Sequence, residues 1–167
     1  MTEIVNIFTA AQPAPPKEEP SFNTDELMKS FNQQRATDWT IGEAFMALHL
    51  AAANADGKIS AEEQAELMAL AQRSRALKSL QPQQLAQMGG VVQQRLHDRP
   101  DGLQQACESL PTDMRLTVFA HCVDLILADG ELHSAEADFL NKITAYLGLQ
   151  RADAERIQQV MLIKNRF

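Results

Sequence analysis

Two acidic side chains recur at the same spacing in the two halves of the chain. Asp56 precedes Glu63 by seven residues, Asp129 precedes Glu136 by the same interval, and each Asp is followed directly by glycine. Carboxylates and backbone carbonyls are hard oxygen ligands, and a glycine turn can bring loop oxygens toward an acidic side chain on the next helix. These four residues therefore predict a divalent-cation site or two equivalent acidic patches, with calcium as the first choice and magnesium as the second.

The two turns depart from the EF-hand calcium loop. When Asp56 takes position 5 of that loop, Glu63 takes position 12, but position 1 is Ala52 in the first copy and Leu125 in the second. Neither turn has the ligand count of an ordinary EF-hand, so two independent high-affinity calcium loops are not expected. Any site would need oxygens from both turns, and its affinity would be modest.

A purely structural interpretation of the same residues stays open. Glycine adopts the left-handed torsions that end a helix, and an Asp before it can accept hydrogen bonds from turn amides. Glu63 follows Ser60 by three residues, which is the spacing of a capping box. Glu136 has the same spacing from His133, where a capping box would have Ser or Thr. In this interpretation the acids serve helix caps and turns, and no cation is needed.

A second candidate site for chemistry lies only in the second half of the chain. Thr117, His121 and Asp124 share one stripe of a predicted helix, so His121 and Asp124 can form a hydrogen-bonded pair. Catalysis would also require a cleft and a third group. The chain has no Gly-rich phosphate loop, nucleophile elbow or zinc-hydrolase signature, so we favour a solvated or locally paired face and do not expect an enzyme.

Helical periodicity and capping signals extend from about Thr24 to the carboxyl end, and no segment is typical of a strand. Thr40 and Glu43 form a capping box, Pro82 and Pro111 suit first helical turns, and Gly89 with Gly90 predicts a bend or break. The expected fold is all-α, a single bundle of about seven helices. Their approximate ranges are 41–55, 60–76, 82–96, 103–109, 111–128, 134–147 and 151–162.

Composition limits the partners and the surroundings of this domain. The 167 residues carry a net charge of -7, so a nucleic-acid partner is not expected without a basic face. No apolar run approaches the roughly 20 residues that span a bilayer, which excludes direct membrane insertion and makes the cytoplasm the default location. Cys107 and Cys122 are expected to be reduced core thiols.

The amino-terminal segment differs from the rest. Four of the seven prolines lie within residues 13–20, where missing N–H donors oppose helix and sheet. We therefore expect residues 1–23 to form a disordered tail and Pro-rich linker, and residues 24–167 to form the helical domain. An apolar patch within the tail also admits docking on a protein partner; it contains Ile4, Val5, Ile7 and Phe8.

An internal repeat supports the pairing of the two turns. A shift of 73 residues superposes Asp56 on Asp129, Glu63 on Glu136 and Leu67 on Leu140, within the same helix-turn-helix context. The fold is therefore expected to contain two similar Asp-Gly hairpins.

The two hairpin segments, NADGKISAEEQAELMALAQRSRALKSL and LILADGELHSAEADFLNKITAYLGL, resemble those of the TerB-like family, and the resemblance covers roughly residues 39–162. It implies a compact all-helical bundle, acidic residues proposed to bind metal, and links to tellurite resistance, stress response and membrane-associated complexes. The resemblance implies a metal-binding role most strongly for four acidic residues: Asp56, Glu63, Asp129 and Glu136. Second-rank metal candidates that the resemblance implies are Glu62, Asp124 and Glu131.

Three functions follow from these observations. The first is a TerB-like module associated with tellurite resistance or stress response, with a divalent-cation site in its two hairpins. The alternative is a metal-independent scaffold that binds a protein partner through the helical surface or the amino-terminal segment. A small hydrolase that uses His121 and Asp124 is the least favoured, because scattered side chains are its only support.

Overall fold

The computed structural model describes residues 38–57, 61–129 and 132–166. The expected tail and linker at 1–23, and the expected start of the helical region at Thr24, lie outside these residues. Seven α-helices and a short 3-10 turn make up the described chain, which contains no strand, so the all-α prediction is confirmed. The helices are α1 (Ile41–Ala53), α2 (Ala61–Arg73), α3 (Pro82–Asp98), α4 (Gly102–Ser109), α5 (Thr112–Ile126), α6 (Ser134–Tyr146) and α7 (Arg151–Lys164), and the 3-10 turn is Leu127–Asp129.

Helix α1 is the centre of the bundle and packs against α2, α3, α4 and α5. It begins with the predicted capping box, in which the Glu43 amide donates to Thr40 Oγ1 at 3.1 Å and the Thr40 amide donates to Glu43 Oε2 at 2.8 Å. Ala44, Ala47 and Leu48 are fully buried. Small side chains allow neighbouring helices to approach closely, so α1 contacts helices on several sides at once.

The residues just before α1 hold the start of this helix against α3. Arg95 pairs with Asp38 at 2.8 Å and with Glu43 at 3.6 Å, while its guanidinium lies 3.9 Å from the centre of the buried Trp39 ring. An arginine stacked on an aromatic face gains electrostatic attraction from the ring as well as apolar contact. This cluster holds the amino end of α1 against the last turns of α3.

Helix α3 corrects one prediction. The expected break at Gly89 and Gly90 is wrong, because the helix runs continuously from Pro82 to Asp98. Each glycine costs roughly 1 kcal/mol in a helix interior, but burial of an apolar side chain contributes more. Leu85 and Val92 are buried on either side of the glycines, so core packing offsets the weak local propensity.

The second half of the chain closes the bundle. Helix α5 packs against α1, α6 and α7, and Gly148 ends the turn after α6 with a φ of +64°. Cys107 and Cys122 are buried free thiols, as expected, and burial raises the pKa of both above the ordinary value. Within the described residues, no helix has the length and apolar character needed to cross a membrane.

The internal repeat stays a prediction. One observation at the crossing of α1 and α5 is consistent with it: the Cys122 thiol lies 3.8 Å from the Leu48 carbonyl oxygen, and the rings of His49 and His121 are 5.8 Å apart. The 73-residue shift relates Leu48 to His121 and His49 to Cys122. The contact between Leu48 and Cys122 therefore corresponds to the contact between His121 and His49.

Candidate functional site

The first Asp-Gly turn is open to solvent. Asp56 is exposed in the turn that follows α1, and Gly57 has a φ of +84°, a torsion that an L side chain rarely adopts. The helix itself ends at Ala53 with Asn54 as its cap residue, and the left-handed glycine closes the turn that follows. The side chains of Glu62 and Glu63, at the start of α2, lie outside the described part of the structure.

The second turn has a different environment at its acidic helix start. Glu136 has only 6% of its surface exposed, and its Oε2 accepts a hydrogen bond of 2.8 Å from the His133 amide. This contact satisfies an amide at the start of α6, which is the role that the structural interpretation predicts. Glu136 therefore caps its own helix, whether or not it also binds a cation.

Two of the remaining predicted ligands belong to the second Asp-Gly turn. Asp129 ends the 3-10 turn, but its side chain and the whole of Glu131 lie outside the described residues. Among the described side chains, no group of three or more His, Cys, Asp or Glu residues can hold a metal ion. The four-residue cation site therefore stays a prediction.

Asp124 is occupied by partners from α7 and from the residue after it. Its carboxylate oxygens accept from Lys164 Nζ at 2.6 and 2.8 Å, and Oδ1 also accepts from Asn165 Nδ2 at 2.9 Å. Burial alone would raise the pKa of Asp124, but these hydrogen bonds and the positive charge of Lys164 place it below its ordinary value. The pair anticipated between His121 and Asp124 is not formed as a hydrogen bond; Asp124 pairs with Lys164 instead.

His121 belongs to an aromatic cluster at the crossing of α1 and α5. The rings of Phe45 and His49 stack at 4.1 Å, and the ring of His121 lies 5.9 Å from Phe45 in an edge-on arrangement. His121 makes no hydrogen bond within the described residues, and its Nδ1 is buried. Burial lowers the pKa of His121, while the Asp124 carboxylate partly opposes this shift. The ring is therefore mainly neutral at pH 7.

His49 is the most enclosed ionisable group of this cluster. It has no exposed surface, and its Nδ1 lies 2.6 Å from the Phe45 carbonyl oxygen, so Nδ1 carries the proton. Its Nε2 is buried with no hydrogen-bond partner among the described residues. Burial lowers the pKa of His49 to about 4; the bond to Phe45 opposes the shift, and the charge of His121 adds to it. His49 stays neutral near pH 7.

A half-open cavity of about 240 Å³ lies beside His121 and Asp124. Helix α2 contributes Leu70 and Arg73 to its wall, and the carboxyl end of α7 contributes Lys164 and Asn165. The described polar lining thus includes two cationic side chains, one carboxylate, an amide and an imidazole. Such a concave site with convergent polar groups can bind a small polar molecule.

Sequence reasoning found only part of this cavity. The spacing of His121 and Asp124 marked one wall, but Lys164 is 40 residues from Asp124 and was not anticipated. No motif in the sequence singled out Arg73. No periodicity connects α2, α5 and α7, because their approach is set by packing of the whole bundle. His49 also had no sequence signal beyond its residue type.

Comparison with known protein families matches residues 42–159 to the family described as tellurite resistance protein TerB. A search of curated proteins found no match, and a search of solved structures found none either. The family match covers well over half of the chain and includes both Asp-Gly turns, α5 and most of α7. On this match, together with the all-helical fold, the chain belongs to the TerB family.

Proposed function

We propose that the chain is a cytoplasmic, non-catalytic binding domain that serves tellurite resistance or stress response and holds a divalent cation at its two Asp-Gly turns. The observation that carries the proposal is the TerB family match over residues 42–159, a span that contains both turns. The recurrence of the Asp and Glu spacing within that span supports the choice of ligands. Calcium is the first choice and magnesium the second, since the ligands are oxygens.

The geometry of the described residues is compatible with this role. Asp56 is exposed beside a left-handed glycine and is accessible to a cation from solvent. Glu136 uses one carboxylate oxygen to accept from the His133 amide, but a carboxylate offers about four lone-pair sites in all. A capping role and a ligand role can therefore coexist in Glu136, which is why mutation must separate them.

The test is calorimetric titration of the metal-free full chain with calcium and then with magnesium. Wild type is compared with Asp56→Asn and Asp129→Asn, and with Glu155→Gln as a control that removes an exposed acid of α7 far along the chain from both turns. We expect millimolar or tighter uptake by wild type and Glu155→Gln, and at least about tenfold weaker uptake by the two turn variants. No uptake by wild type, or equal uptake by all four proteins, would contradict the cation site.

Two substitutions of Glu136 can separate its role as a helix cap from its proposed role as a cation ligand. Glu136→Gln keeps an oxygen that can accept from the His133 amide but loses the negative charge, whereas Glu136→Ala loses both. We expect Glu136→Gln to keep most of the thermal stability while weakening cation uptake. Equal uptake by Glu136→Gln and wild type would leave Glu136 with the capping role alone.

The alternative function, a metal-independent protein scaffold, is favoured by one observation on α7. Val160 and Ile163 lie one turn apart, with 60% and 71% of their surfaces exposed, and Leu162 is also exposed. Exposed apolar side chains grouped on one helix are typical of a protein-binding surface. A scaffold would keep its partner in the presence of a chelator, while loss of partner binding on chelation would favour the cation-dependent module.

A further inference from the structure

Two imidazole nitrogens are buried without a partner where α1 crosses α5. They are Nε2 of His49 and Nδ1 of His121, and neither has a hydrogen-bond partner within the part of the chain that the structure describes. The centres of the two rings lie 5.8 Å apart. A buried polar atom without a hydrogen bond is destabilising, so two such atoms at one helix crossing indicate a guest that satisfies both.

The His49 ring is held in the way that a metal-binding histidine is usually held. Its Nδ1 lies 2.6 Å from the Phe45 carbonyl oxygen, so Nδ1 carries the proton and Nε2 carries the lone pair. Histidines that bind metal ions commonly donate their other ring N–H to a backbone carbonyl, which fixes the ring and its tautomer. The ring of Phe45, stacked at 4.1 Å, limits rotation further. His49 is therefore a fixed nitrogen donor.

His121 supplies a second nitrogen donor from α5. Its ring makes no hydrogen bond within residues 38–57, 61–129 and 132–166, so no contact there forces the proton onto Nδ1. With the proton on Nε2, the buried Nδ1 carries the lone pair. Burial lowers the pKa of both histidines, so both rings are mainly neutral at pH 7. Two uncharged nitrogen donors from different helices are thus present at one crossing.

The separation of the rings fits one ion bound between them. An imidazole nitrogen binds a transition-metal ion at about 2 Å, so the centres of two imidazole rings on one ion lie about 5–6 Å apart. The 5.8 Å between His49 and His121 falls within this range. An ion with two ligands sets no angle between the ring planes, so the tilt of 56° between these rings is compatible with it.

The small number of donors selects the kind of ion. In the described ranges, no third His, Cys, Asp or Glu joins the two histidines in a metal-binding group. Zinc takes three or four protein ligands, so two imidazoles alone favour an ion that accepts two ligands, as copper(I) does. The solvation cost of burying an ion rises with the square of its charge, so a monovalent ion costs about a quarter as much as a divalent one.

We propose that His49 Nε2 and His121 Nδ1 bind a single copper(I) ion between α1 and α5. The ion reaches the site from the half-open cavity, whose wall includes His121. Lys164 at that cavity is paired with Asp124, which offsets its repulsion of an incoming cation. The proposed site uses none of the acids of the Asp-Gly turns, so it goes beyond the proposed function and does not depend on it.

The test is an anaerobic calorimetric titration of the metal-free full chain with the acetonitrile complex of copper(I). Wild type is compared with His49→Leu, His121→Ala and His97→Asn, the last a control at an exposed histidine of α3. We expect wild type and His97→Asn to bind with a dissociation constant of about 1 µM or lower, and the other two at least about tenfold more weakly. If His49→Leu unfolds, His121→Ala decides alone. No binding by wild type, or equal binding by all folded variants, would overturn the site.

The two buried thiols are the competing ligands for copper(I) and are tested separately. Cys122 follows His121 in the chain, and its Sγ lies 3.8 Å from the Leu48 carbonyl oxygen. Burial raises the pKa of both Cys107 and Cys122, so neither provides a thiolate near pH 7. We expect Cys107→Ala and Cys122→Ala to bind copper(I) within about twofold of wild type. Loss of binding in either cysteine variant, with binding retained in His49→Leu, would refute the imidazole site.

X-ray absorption of the copper-loaded wild type identifies the ligands directly. We expect two nitrogen neighbours at about 2 Å, with the multiple scattering that is typical of imidazole rings. A merely structural role of the two histidines would not produce this signal. Sulfur neighbours in place of the nitrogens would overturn the proposal.

Discussion

Helices α1 and α5 occupy corresponding places in the proposed repeat but have opposite surroundings. Ala44 and Leu48 of α1 are fully buried, while their counterparts in α5, Thr117 and His121, are exposed and half-buried. Helix α1 is surrounded by other helices, so most of its positions are apolar and fill the core. Helix α5 keeps one side open beside the cavity, and there the same register can carry a polar group. The two helices therefore differ in how much of their surface the core requires.

The largest effect should come from equivalent truncations in the two helices. Leu48→Ala removes a fully buried side chain and should lower the free energy of unfolding by about 3 kcal/mol, whereas His121→Ala should cost about 1 kcal/mol or less. His121 is only half-buried and gives up no hydrogen bond within the described residues. Urea denaturation at pH 7.5 measures both. A cost for His121→Ala equal to that of Leu48→Ala would break the contrast between the helices.

The buried histidine of α1 should make stability depend on pH. The folded-state pKa of His49 is about 4, below the ordinary value of 6.5, so the unfolded chain binds more protons between these values. Stability is then fully present above pH 6.5 and falls as the pH drops toward 4. Between pH 7.5 and pH 5 the loss through His49 should be about 2 kcal/mol. The lowered pKa of His121 acts in the same direction.

His49→Leu and His97→Asn check the origin of that pH dependence. Urea unfolding of each variant at pH 7.5 and pH 5 gives the difference in stability between the two conditions, whatever the absolute stability. His49→Leu should reduce the difference by about 2 kcal/mol, and His97→Asn, an exposed control on α3, should leave it unchanged. If the difference in stability between pH 7.5 and pH 5 is as large in His49→Leu as in wild type, groups other than His49 cause the pH dependence.

The smallest effect should belong to the ion pair that fastens α7 to α5. Lys164 and Asp124 are both more than a third exposed, so their coupling in a double-mutant cycle of Lys164→Gln and Asp124→Asn should be about 0.2–1 kcal/mol. Added salt should reduce it, because ions screen exposed charges. A coupling well above this range would mean that the cavity wall is less hydrated than its exposure indicates, which would weaken the contrast between α5 and α1.

Local signals in the sequence predicted most of the helical frame. Thr40 and Glu43 formed the expected capping box, Pro82 began α3, and Gly148 took a left-handed torsion after α6. These features depend on neighbours within a few residues, so a pattern of residue types is enough to predict them. The break expected at Gly89 and Gly90 was also a local inference, and tertiary burial around those glycines overrode it.

Residue types and spacing thus determined the helices of the described chain, the family and the acids that are candidate ligands. Only the tertiary structure decided that Asp124 pairs with Lys164 rather than His121, and that Arg73 shares a cavity with them. Caps and helical faces are short-range consequences of backbone geometry, whereas the convergence of α2, α5 and α7 depends on how the whole core packs. The charge of the cavity could not be read from a spacing, because its cations come from helices that meet only after folding.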